Sequence, residues 1–288
     1  MIGRALLPLF LWLGLASCTQ ERADRPAGHP ALWVVADETG QPVGWLFGTV
    51  HALPDGVDWR FAALADVTTR ADMLVVEVGN LEDTAAVQAA FRRMAYDRAP
   101  DAPVSARIDP AYQADYRRFA AASSGFDDME TWAAALALAQ SAQTGDIGNG
   151  VDRALIGEFS TRPVVELEGV ARQLAVFDAL PEKEQRDFLN AVLKEARNRQ
   201  ADDGKIAAAW RSGDLAAMEQ LTATGMLADP ELRRFLLTDR NRAWAVKITQ
   251  LLASGRRPLV AVGAAHMLGP EGLPALLVDA GYTVTRVP

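Results

Sequence analysis

The amino-acid sequence predicts a mixed α/β (α+β) fold with a central mixed β-sheet built from both ends of the chain. Strand-sized apolar runs cluster near the two ends of the folded part, and two more lie near Val76 and Glu168. The long stretches at about 82–160 and 170–252 instead have helical patterns rich in Ala. This arrangement indicates one sheet covered by a large inserted helical layer. We therefore expect a single domain over residues 31–288.

The individual elements are predicted where apolar runs meet turn-forming residues. Leu32–Ala36 and Val43–Val50 form a predicted hairpin, because Asp37–Pro42 between them contains Asp, Gly and Pro. The other predicted elements are the helix Trp59–Arg70, the strand Asp72–Val78, the helix Val151–Ser160, the strands Arg162–Glu168 and Pro258–Gly263, the helix Pro270–Ala280 and the strand Tyr282–Val287, with helix breaks near Gly204, Gly213 and Asp229–Pro230.

The first residues predict an export signal. Arg4 precedes the apolar stretch Ala5–Ala16, which is shorter than the about 20 residues that a membrane-spanning helix needs. Leu15-Ala16-Ser17-Cys18 then resembles the cleavage site of a bacterial lipoprotein, in which the cysteine receives the lipid. The alternative is an ordinary secretory signal that happens to contain a cysteine. We expect a signal peptide at 1–17, lipidation of Cys18 and a tether at 18–30.

The predicted lipid anchor places the folded part in the bacterial cell envelope. Thr19, and not Asp, follows the cysteine, which favours the outer membrane with the protein facing the periplasm. Cys18 is the only cysteine, so disulfides, thiolate metal sites and cysteine nucleophiles are excluded. The net charge is −8 and Lys and Arg form no cluster, so nucleic acid is not an expected partner. His29 lies in the predicted tether, where we expect it to be solvated.

Two histidines follow predicted strands in matched sequence contexts. Gly48-Thr49-Val50-His51 ends the second strand, and Gly263-Ala264-Ala265-His266 ends the strand Pro258–Gly263. A glycine at the end of a strand lets the backbone turn sharply, so the histidine three residues later points into the crevice where open α/β sheets bind ligands. If the two strands are neighbours, both imidazoles converge. Two neutral imidazoles and a carboxylate are a usual site for a divalent transition metal.

Acidic residues that would complete such a site end two other strands. Glu77 follows an apolar run, where a charged group needs a partner or solvent, and a salt bridge at the rim is the alternative. Glu166 and Glu168 alternate with apolar residues, so the pattern places them on one strand face. Two acids on one face repel each other unless a cation or an arginine lies between them. Glu168 directly precedes Gly169 at the end of its strand and is the better candidate.

Several short motifs occur in an order and spacing similar to those of the TraB/PrgY/GumN family. The resemblance extends over nearly the whole folded part, from about Leu32 to Val287. This family is related to the Tiki proteases and, more distantly, to the erythromycin esterase and ChaN-like groups. The matching motifs are Leu46-Phe47-Gly48-Thr49-Val50-His51, Val76-Glu77-Val78, Gly150-Val151-Asp152, Leu167-Glu168 with Gln173-Leu174, Asp239-Arg240-Asn241 and Val262-Gly263-Ala264-Ala265-His266.

The resemblance implies an α/β fold with a helical insertion and an active site built on the two GxxH motifs and acidic residues. Tiki relatives are metal-dependent proteases that use ions such as manganese or cobalt. Carried over, this makes His51 and His266 metal ligands or catalytic bases. Glu77 and Glu168 become their acidic partners. The chain differs at Gly169, where relatives often carry Thr, and this difference affects at most a hydrogen bond around the site.

Arg240 and Asn241 have two interpretations. They lie in the predicted helix Leu236–Trp244, and the charges of that run alone predict a solvated helix face. The resemblance instead implies that both are polar residues of the site. Arg240 would then hold a substrate carboxylate or stabilise a developing oxyanion. Gly48 and Gly263 belong to the same predicted site, because they shape the two histidine loops.

We therefore predict a metal-dependent hydrolase of the envelope that acts on peptide bonds, with manganese, cobalt or zinc as the divalent ion. The ion would polarise a carbonyl group and acidify a water molecule, whose proton Glu77 or Glu168 would accept. The chain contains no HExxH and no GxSxG motif, which argues against thermolysin-type zinc proteases and serine hydrolases. Two alternatives stay open: a metal-free hydrolase with a histidine base, and a non-catalytic lipoprotein that binds a peptide or polysaccharide. The predicted metal ligands are His51, Glu77, Glu168 and His266.

Overall fold

The computed structural model describes residues 28–80, 83–120, 125–142 and 145–288, and at 198–203 it describes the backbone only. The predicted signal peptide, Cys18 and most of the predicted tether lie outside these ranges. Within them, no helix combines the length and the apolar character that crossing a membrane requires.

The centre of the described fold is a six-stranded sheet with the strand order β4-β3-β5-β2-β1-β6. The strands are β1 (Leu32–Ala36), β2 (Pro42–Thr49), β3 (Met73–Val76), β4 (Val164–Glu166), β5 (Pro258–Gly263) and β6 (Thr283–Arg286). β4, β3, β5 and β2 run parallel to one another, whereas β1 pairs antiparallel with both β2 and β6. The prediction of a mixed sheet assembled from both ends of the chain is confirmed.

Helices fill the connections between these strands. The described helices are α1 (Ala62–Arg70), α2 (Thr84–Ala95), α3 (Val104–Arg107), α4 (Gln113–Ala120), α5 (Thr131–Ser141), α6 (Val151–Glu158), α7 (Val170–Asp178), α8 (Glu182–Ser212), α9 (Leu215–Thr224), α10 (Pro230–Arg233), α11 (Asp239–Ala253) and α12 (Leu273–Asp279). α2 to α6 lie between β3 and β4 in the chain, and α7 to α11 lie between β4 and β5. The helical layer therefore enters the sequence on either side of β4.

Two apolar clusters pack on the faces of the sheet, and a third lies within the helical layer. One sheet face packs Phe47 and Leu74 against Leu155 of α6 and Trp210 of α8. The other face packs its own apolar residues against α11 and α12. A third cluster joins α5 and α8, with Leu189 of α8 fully buried, and gives the helical layer an apolar core of its own. Central strands buried between two layers are apolar on both faces, which explains the unbroken apolar runs of β3 and β5.

The predicted helix break near Gly204 is wrong, because α8 continues through this residue and ends at Gly213. Gly204 is exposed, and a single glycine in a helix interior costs only about 1 kcal/mol. Gly213 has a φ of +65°, and its N–H group caps the helix at the carbonyl groups of Ala209 and Trp210. The difference between the two glycines is therefore the left-handed backbone that only the second adopts.

The expectation that His29 is solvated is also wrong. His29 is half-buried, stacks on the ring of Phe61 with 3.9 Å between centroids, and places Nε2 2.7 Å from an oxygen of Pro288. This contact arises because the chain enters β1 beside β6, so the first described residues meet the last ones. The end of the predicted tether is thus part of the fold.

Candidate functional site

The predicted site residues lie at one edge of the sheet. β2 and β5 are neighbours, with Thr49 opposite Gly263, so the loops that carry His51 and His266 leave the sheet side by side. β3 pairs with the other side of β5 and ends just before Glu77, and β4 lies beside β3. The two imidazoles were expected to converge if these two strands were neighbours, and the strands are neighbours. Open α/β sheets bind ligands at this carboxyl edge of their parallel strands.

Three of these side chains meet at Gly263. A Cβ atom added to Gly263 would lie 3.1 Å from Glu77 Oε1. The same point is 3.6 Å from His266 Cδ2 and 3.8 Å from His51 Nε2. The Gly263 N–H group itself donates to Glu77 Oε1 at 2.8 Å. A Cβ atom here would press on the Glu77 carboxylate and would touch both imidazoles, so the glycine keeps the space between the three groups open.

The two GxxH glycines serve close approach and not a sharp turn, which corrects the sequence-based interpretation. Gly263 has an ordinary φ of −46°, and Gly48 is not among the glycines with positive φ. A Cβ on Gly48 would lie 3.1 Å from the Cα of Ala264, so β2 and the loop after β5 are in backbone contact. At both positions the missing side chain, and not conformational freedom, is what the fold uses.

His266 is buried and held in one tautomer. Only 6 % of the residue is exposed, and its ring lies 4.4 Å from that of Trp244. Its Nδ1 donates to Asn241 Oδ1 at 2.6 Å, while Asn241 Nδ2 donates to the carbonyl group of Glu271 at 2.7 Å. These contacts assign the proton to Nδ1 and leave Nε2 as the accepting nitrogen, which faces the site and lies 3.4 Å from Arg240 Nη1. Burial lowers the pKa of His266 to about 4, so the ring is neutral at neutral pH.

His51 has the opposite environment. Its side chain is 60 % exposed, and Nδ1 lies 3.1 Å from Asp152 Oδ2 in the first turn of α6. Desolvation in the crevice lowers the pKa of His51, but the hydrogen bond to Asp152 and the charges of Asp152 and Glu77 outweigh it and raise the pKa to about 9. The ring is therefore protonated at neutral pH, and the direction of the shift follows from its carboxylate partner.

Glu77 is ionised and held at both oxygens. Oε1 accepts the Gly263 N–H, and Oε2 accepts bonds from Arg240 Nη2 at 2.8 Å and Gln173 Nε2 at 3.3 Å. Burial raises the pKa of this carboxyl group. The charge that His266 acquires when it is protonated in acid, together with the charges of Arg240 and His51, outweighs burial and lowers the pKa to about 2. His266 Nε2 lies 3.9 Å from Glu77 Oε1.

Arg240 links Glu77 to Glu168. Its Nε and Nη2 donate to the two oxygens of Glu168, each at 2.9 Å, and Nη1 donates to the carbonyl group of Leu236 at 3.0 Å. Nη1 also lies 3.4 Å from His266 Nε2. Because its side chain is only 11 % exposed, the interpretation of this helix as a solvated face is wrong for Arg240. Its donors are already bonded inside the protein, which favours an orienting role over binding a substrate carboxylate.

A π-helical turn at Arg234–Thr238 directly precedes α11 and so comes just before Arg240. Such turns insert an extra residue and change the direction in which the following side chains point. Nothing in the sequence pattern predicts this turn. α11 then carries Asn241, which is fully buried, and Trp244, whose Nε1 donates to Glu168 Oε1 at 3.1 Å.

Glu166 and Glu168 do not share one face, which corrects the prediction made from their alternation. β4 ends at Glu166, and the N–H groups of Glu168 and Gly169 both donate to the carbonyl group of Glu77. The chain therefore leaves the strand geometry between the two acids. Glu166 is exposed and accepts hydrogen bonds from the N–H group of Gly79 at 2.7 Å and from that of Asn80 at 3.2 Å. No cation between the two carboxylates is needed.

Sequence reasoning assigned no role to Asp152, the partner of His51, or to Thr49. Asp152 had a signal, because the motif Gly150-Val151-Asp152 contributes to the family resemblance. Thr49 is 2 % exposed and lies directly after Gly48 in the motif that ends with His51. Asp152 Oδ1 and Thr49 Oγ1 are both buried without a hydrogen-bond partner in the described part of the chain. Such orphaned polar atoms at a crevice are typical of a site that binds water or a ligand.

The donor types at this edge fit a divalent ion, although their spacing is not that of a formed metal site. Each imidazole donates its Nδ1–H away from Gly263, to Asp152 or Asn241, as metal-ligating histidines commonly do. His51 Nε2, His266 Nε2 and Glu77 would be the ligands, since both Glu168 oxygens bind Arg240. In the described ranges, no three His, Cys, Asp or Glu side chains are already grouped to hold a metal ion.

Comparison with known proteins now places the chain. No curated protein and no solved structure matches it. A sequence model of one protein family, however, matches residues 31–286, which is nearly all of the described chain and includes both histidine loops, Glu77, Glu168 and Arg240. The chain therefore belongs to the TraB/PrgY/gumN family.

Proposed function

We propose that this protein is a metal-dependent hydrolase of the bacterial cell envelope that acts on peptide bonds. The observation that carries the proposal is the meeting of two imidazoles and the Glu77 carboxylate at Gly263. Each imidazole is tied by its Nδ1 to a partner away from this point. Two Nε2 atoms and one carboxylate are a usual donor set for Mn²⁺, Co²⁺ or Zn²⁺ at a catalytic site.

The state of the residues suits this role. An ion bound there would polarise a substrate carbonyl group and make a water molecule more acidic. Ligands must be deprotonated, and the lowered pKa values of His266 and Glu77 keep both of them so at neutral pH, whereas His51, whose pKa is raised to about 9, would release its proton when the ion binds. Arg240 and the Gly263 N–H fix the orientation of Glu77. Because Glu168 is bound at both oxygens by Arg240, its contacts favour holding that arginine over accepting a proton.

A metal-free hydrolase is a second candidate, and a specific observation favours it. Arg240 already supplies a positive charge between Glu77 and Glu168 and lies close to His266 Nε2. The exposed His51, hydrogen-bonded to Asp152, would then be the histidine that exchanges a proton with water or substrate.

Hydrolysis of a fluorogenic peptide library by the full mature chain in detergent tests both versions. We expect activity that EDTA abolishes and that Mn²⁺, Co²⁺ or Zn²⁺ restores. His51→Ala and His266→Ala should each lower the activity by about 100-fold or more. His29→Ala is the matched control, because His29 is the third histidine and lies outside the site, so this variant should keep its activity.

Each other outcome identifies a different function. Activity that survives EDTA but is lost in His51→Ala would replace the metal-dependent version by the metal-free one. Absence of hydrolysis under every condition, together with an unchanged cellular phenotype in His51→Ala, would contradict both versions. It would favour a non-catalytic lipoprotein that binds a peptide or polysaccharide.

The envelope location is part of the proposal and rests on the sequence of the first 19 residues. We propose a lipid anchor on Cys18 and, from Thr19, attachment to the outer membrane facing the periplasm. Mass spectrometry of the mature N-terminus should find a diacylglyceryl-modified Cys18. Detection of Met1 or of unmodified Cys18 at that terminus would contradict the anchor.

A further inference from the structure

A cavity of about 320 Å³ lies directly beside the converging histidines. It opens between the carboxyl edge of the sheet and the helical layer, and His51 and Glu77 line it together with apolar residues. The apolar lining comes from Val78 after β3, Leu136 of α5, Ile147 before α6, and Leu174 and Phe177 of α7.

Packing behind the cavity holds its apolar lining in place. Leu136, Leu174 and Phe177 are half-buried, and all three pack against the buried cluster around Trp132. Phe177 also stacks on Phe188 of α8, with 5.3 Å between ring centroids. Leu174 belongs to the motif Gln173-Leu174 of the family resemblance, and Gln173 contacts Glu77 from the same helix turn. α7 therefore supplies part of the apolar lining as well as the Gln173 side chain that contacts Glu77.

The volume and the lining restrict what the cavity accepts. Small-molecule pockets range from about 300 to 1,000 Å³, so this cavity is near the lower limit and suits one large side chain with its adjoining backbone. The apolar wall of Leu136, Leu174 and Phe177 offers a charged side chain no partner. The charged groups that also line the cavity already have partners, since His51 bonds Asp152 and Glu77 bonds Arg240. An apolar side chain such as that of Leu or Phe would instead gain free energy by leaving water.

Thr49 adds a hydroxyl group to a lining whose other polar members are His51, Glu77, Asp152, Arg153 and Gln173. The residue is 2 % exposed and lines the cavity, yet its Oγ1 has no hydrogen-bond partner among the described residues. Buried hydroxyl groups are normally bonded, so an unbonded one at a cavity is suited to a group that enters it. Pockets with a mainly apolar lining and a few placed polar groups are typical of ligand sites.

We propose that this cavity is a specificity pocket that binds one large apolar side chain of the substrate, and that the Thr49 hydroxyl bonds an amide group of the same residue. The identity of the substrate as a peptide rests on the proposed hydrolase function. Binding of the apolar side chain does not require turnover, so the two proposals can fail separately.

Photo-crosslinking on the full mature chain in detergent tests the pocket. The probe is N-acetyl-photoleucine methylamide, whose apolar side chain carries a diazirine, and mass spectrometry maps the labelled residues. We expect labelling at Leu136, Ile147 and the segment 174–177. N-acetyl-leucine methylamide should displace the label at a concentration about tenfold lower than N-acetyl-aspartate methylamide. Labelling spread over the surface, or equal displacement by both amides, would overturn the proposal.

Two variants with controls sharpen the test. Ile147→Asp places a charge at the opening, where Ile147 is 41 % exposed, and should reduce labelling at least about fivefold. Val278→Asp alters an equally exposed apolar residue of α12 that does not line the cavity, and should leave labelling unchanged. Thr49→Val should not lower the stability of the free chain, because the hydroxyl has no partner to lose and burying it unbonded is unfavourable. The variant should weaken displacement by the leucine amide several-fold. Displacement unchanged in Thr49→Val would contradict the hydroxyl contact.

The outcomes separate this pocket from the hydrolase function. Mapped labelling with no peptide hydrolysed would leave a ligand pocket and contradict the proposed reaction. Peptide hydrolysis without preference for apolar residues, and with labelling elsewhere, would contradict the pocket and leave the reaction.

Discussion

The two histidine loops begin from the same four-residue pattern and end in opposite environments. His51 is mostly exposed, bonds the carboxylate of Asp152, and has a raised pKa. His266 is buried, bonds the amide of Asn241, and has a lowered pKa. Both imidazoles nevertheless approach Gly263. The pattern GxxH therefore sets position at the sheet edge, while the partner and the burial of each ring set its charge.

This difference gives the site a fixed half and an adaptable half. The His266 half is enclosed by Trp244, Asn241 and Arg240, and these residues come from one helix, α11. The His51 half faces the crevice and has one side-chain partner, Asp152. A substrate or ion arriving from solvent would meet His51 first.

Removal of the Arg240 charge should give the largest effect. Arg240→Met leaves Glu77 and Glu168 buried without their shared cation, which should lower the free energy of unfolding by about 3–5 kcal/mol. Arg257→Met is the matched control, because Arg257 forms an exposed pair with Asp72 and should cost about 1 kcal/mol or less. Urea unfolding of the full chain measures both. Equal losses would show that the fixed half does not depend on Arg240.

The stability of the EDTA-treated chain should depend on pH in opposite directions for the two histidines. For His266, the unfolded chain binds more protons between pH 6.5 and about 4, so the free energy of unfolding should fall on acidification, by at most about 3 kcal/mol. For His51, the folded chain binds more protons between pH 6.5 and about 9, so stability should fall as the pH rises. Solvent screening makes this second change smaller, since His51 is exposed.

Urea unfolding across this pH range, with one variant per histidine, separates the two contributions. His266→Asn should flatten the acid side and leave the alkaline side unchanged, and His51→Asn should do the reverse. A wild-type chain whose stability does not change between pH 4 and 6.5 would contradict the neutral state assigned to His266.

At a single neutral pH, the same two variants should differ in stability. His266→Asn breaks the buried bond to Asn241 and leaves that amide oxygen without its donor, which should cost about 1–3 kcal/mol. His51→Asn removes the exposed contact with Asp152 and should cost less, about 1 kcal/mol at most. Thermal unfolding at pH 7 compares them. A larger loss for His51→Asn would reverse the assignment of the two halves.

Exchange of the orienting partners should change the pKa values without unfolding the protein. Asp152→Asn removes the carboxylate beside His51, so the pKa of His51 should fall from about 9 by one unit or more. Asn241→Asp adds a carboxylate beside His266, so its pKa should rise above about 4. NMR titration of the ring protons measures this readily, because the chain has only three histidines.

The positions of His51, Glu77 and His266 could be predicted from the sequence, because each of these residues closely follows an apolar strand. The parallel pairing of β2 with β5 then brought His51 and His266 together. The contacts of Arg240 did not follow, because its carboxylate partners lie 163 and 72 residues away in the chain. Helical periodicity alone describes a charged helix as exposed, and only the packing of α11 against the sheet reverses that description for Arg240.

Contacts between distant segments also explain three further differences between the predicted and the observed structure. Alternation placed Glu166 and Glu168 on one face, but the bonds from Glu168 and Gly169 to the carbonyl group of Glu77 end the strand between them. The motif that contains Asp152 was noted, but its pairing with His51 was not predicted, since the two residues are 101 positions apart. The position of His29 in the predicted tether indicated solvation. Contact of the first described residues with Pro288 instead holds His29 half-buried against Phe61. Each miss involves a contact between segments distant in sequence.

Metal content tests the central claim most directly. The full mature chain, treated with EDTA, is reconstituted with Mn²⁺, Co²⁺ or Zn²⁺ and analysed by inductively coupled plasma mass spectrometry beside the double variant His51→Ala/His266→Ala. We expect about one ion per wild-type chain and none in the double variant, with His29→Ala behaving as the wild type. No bound ion in the wild type, or an equal content in the double variant, would contradict a metal site at the two histidines.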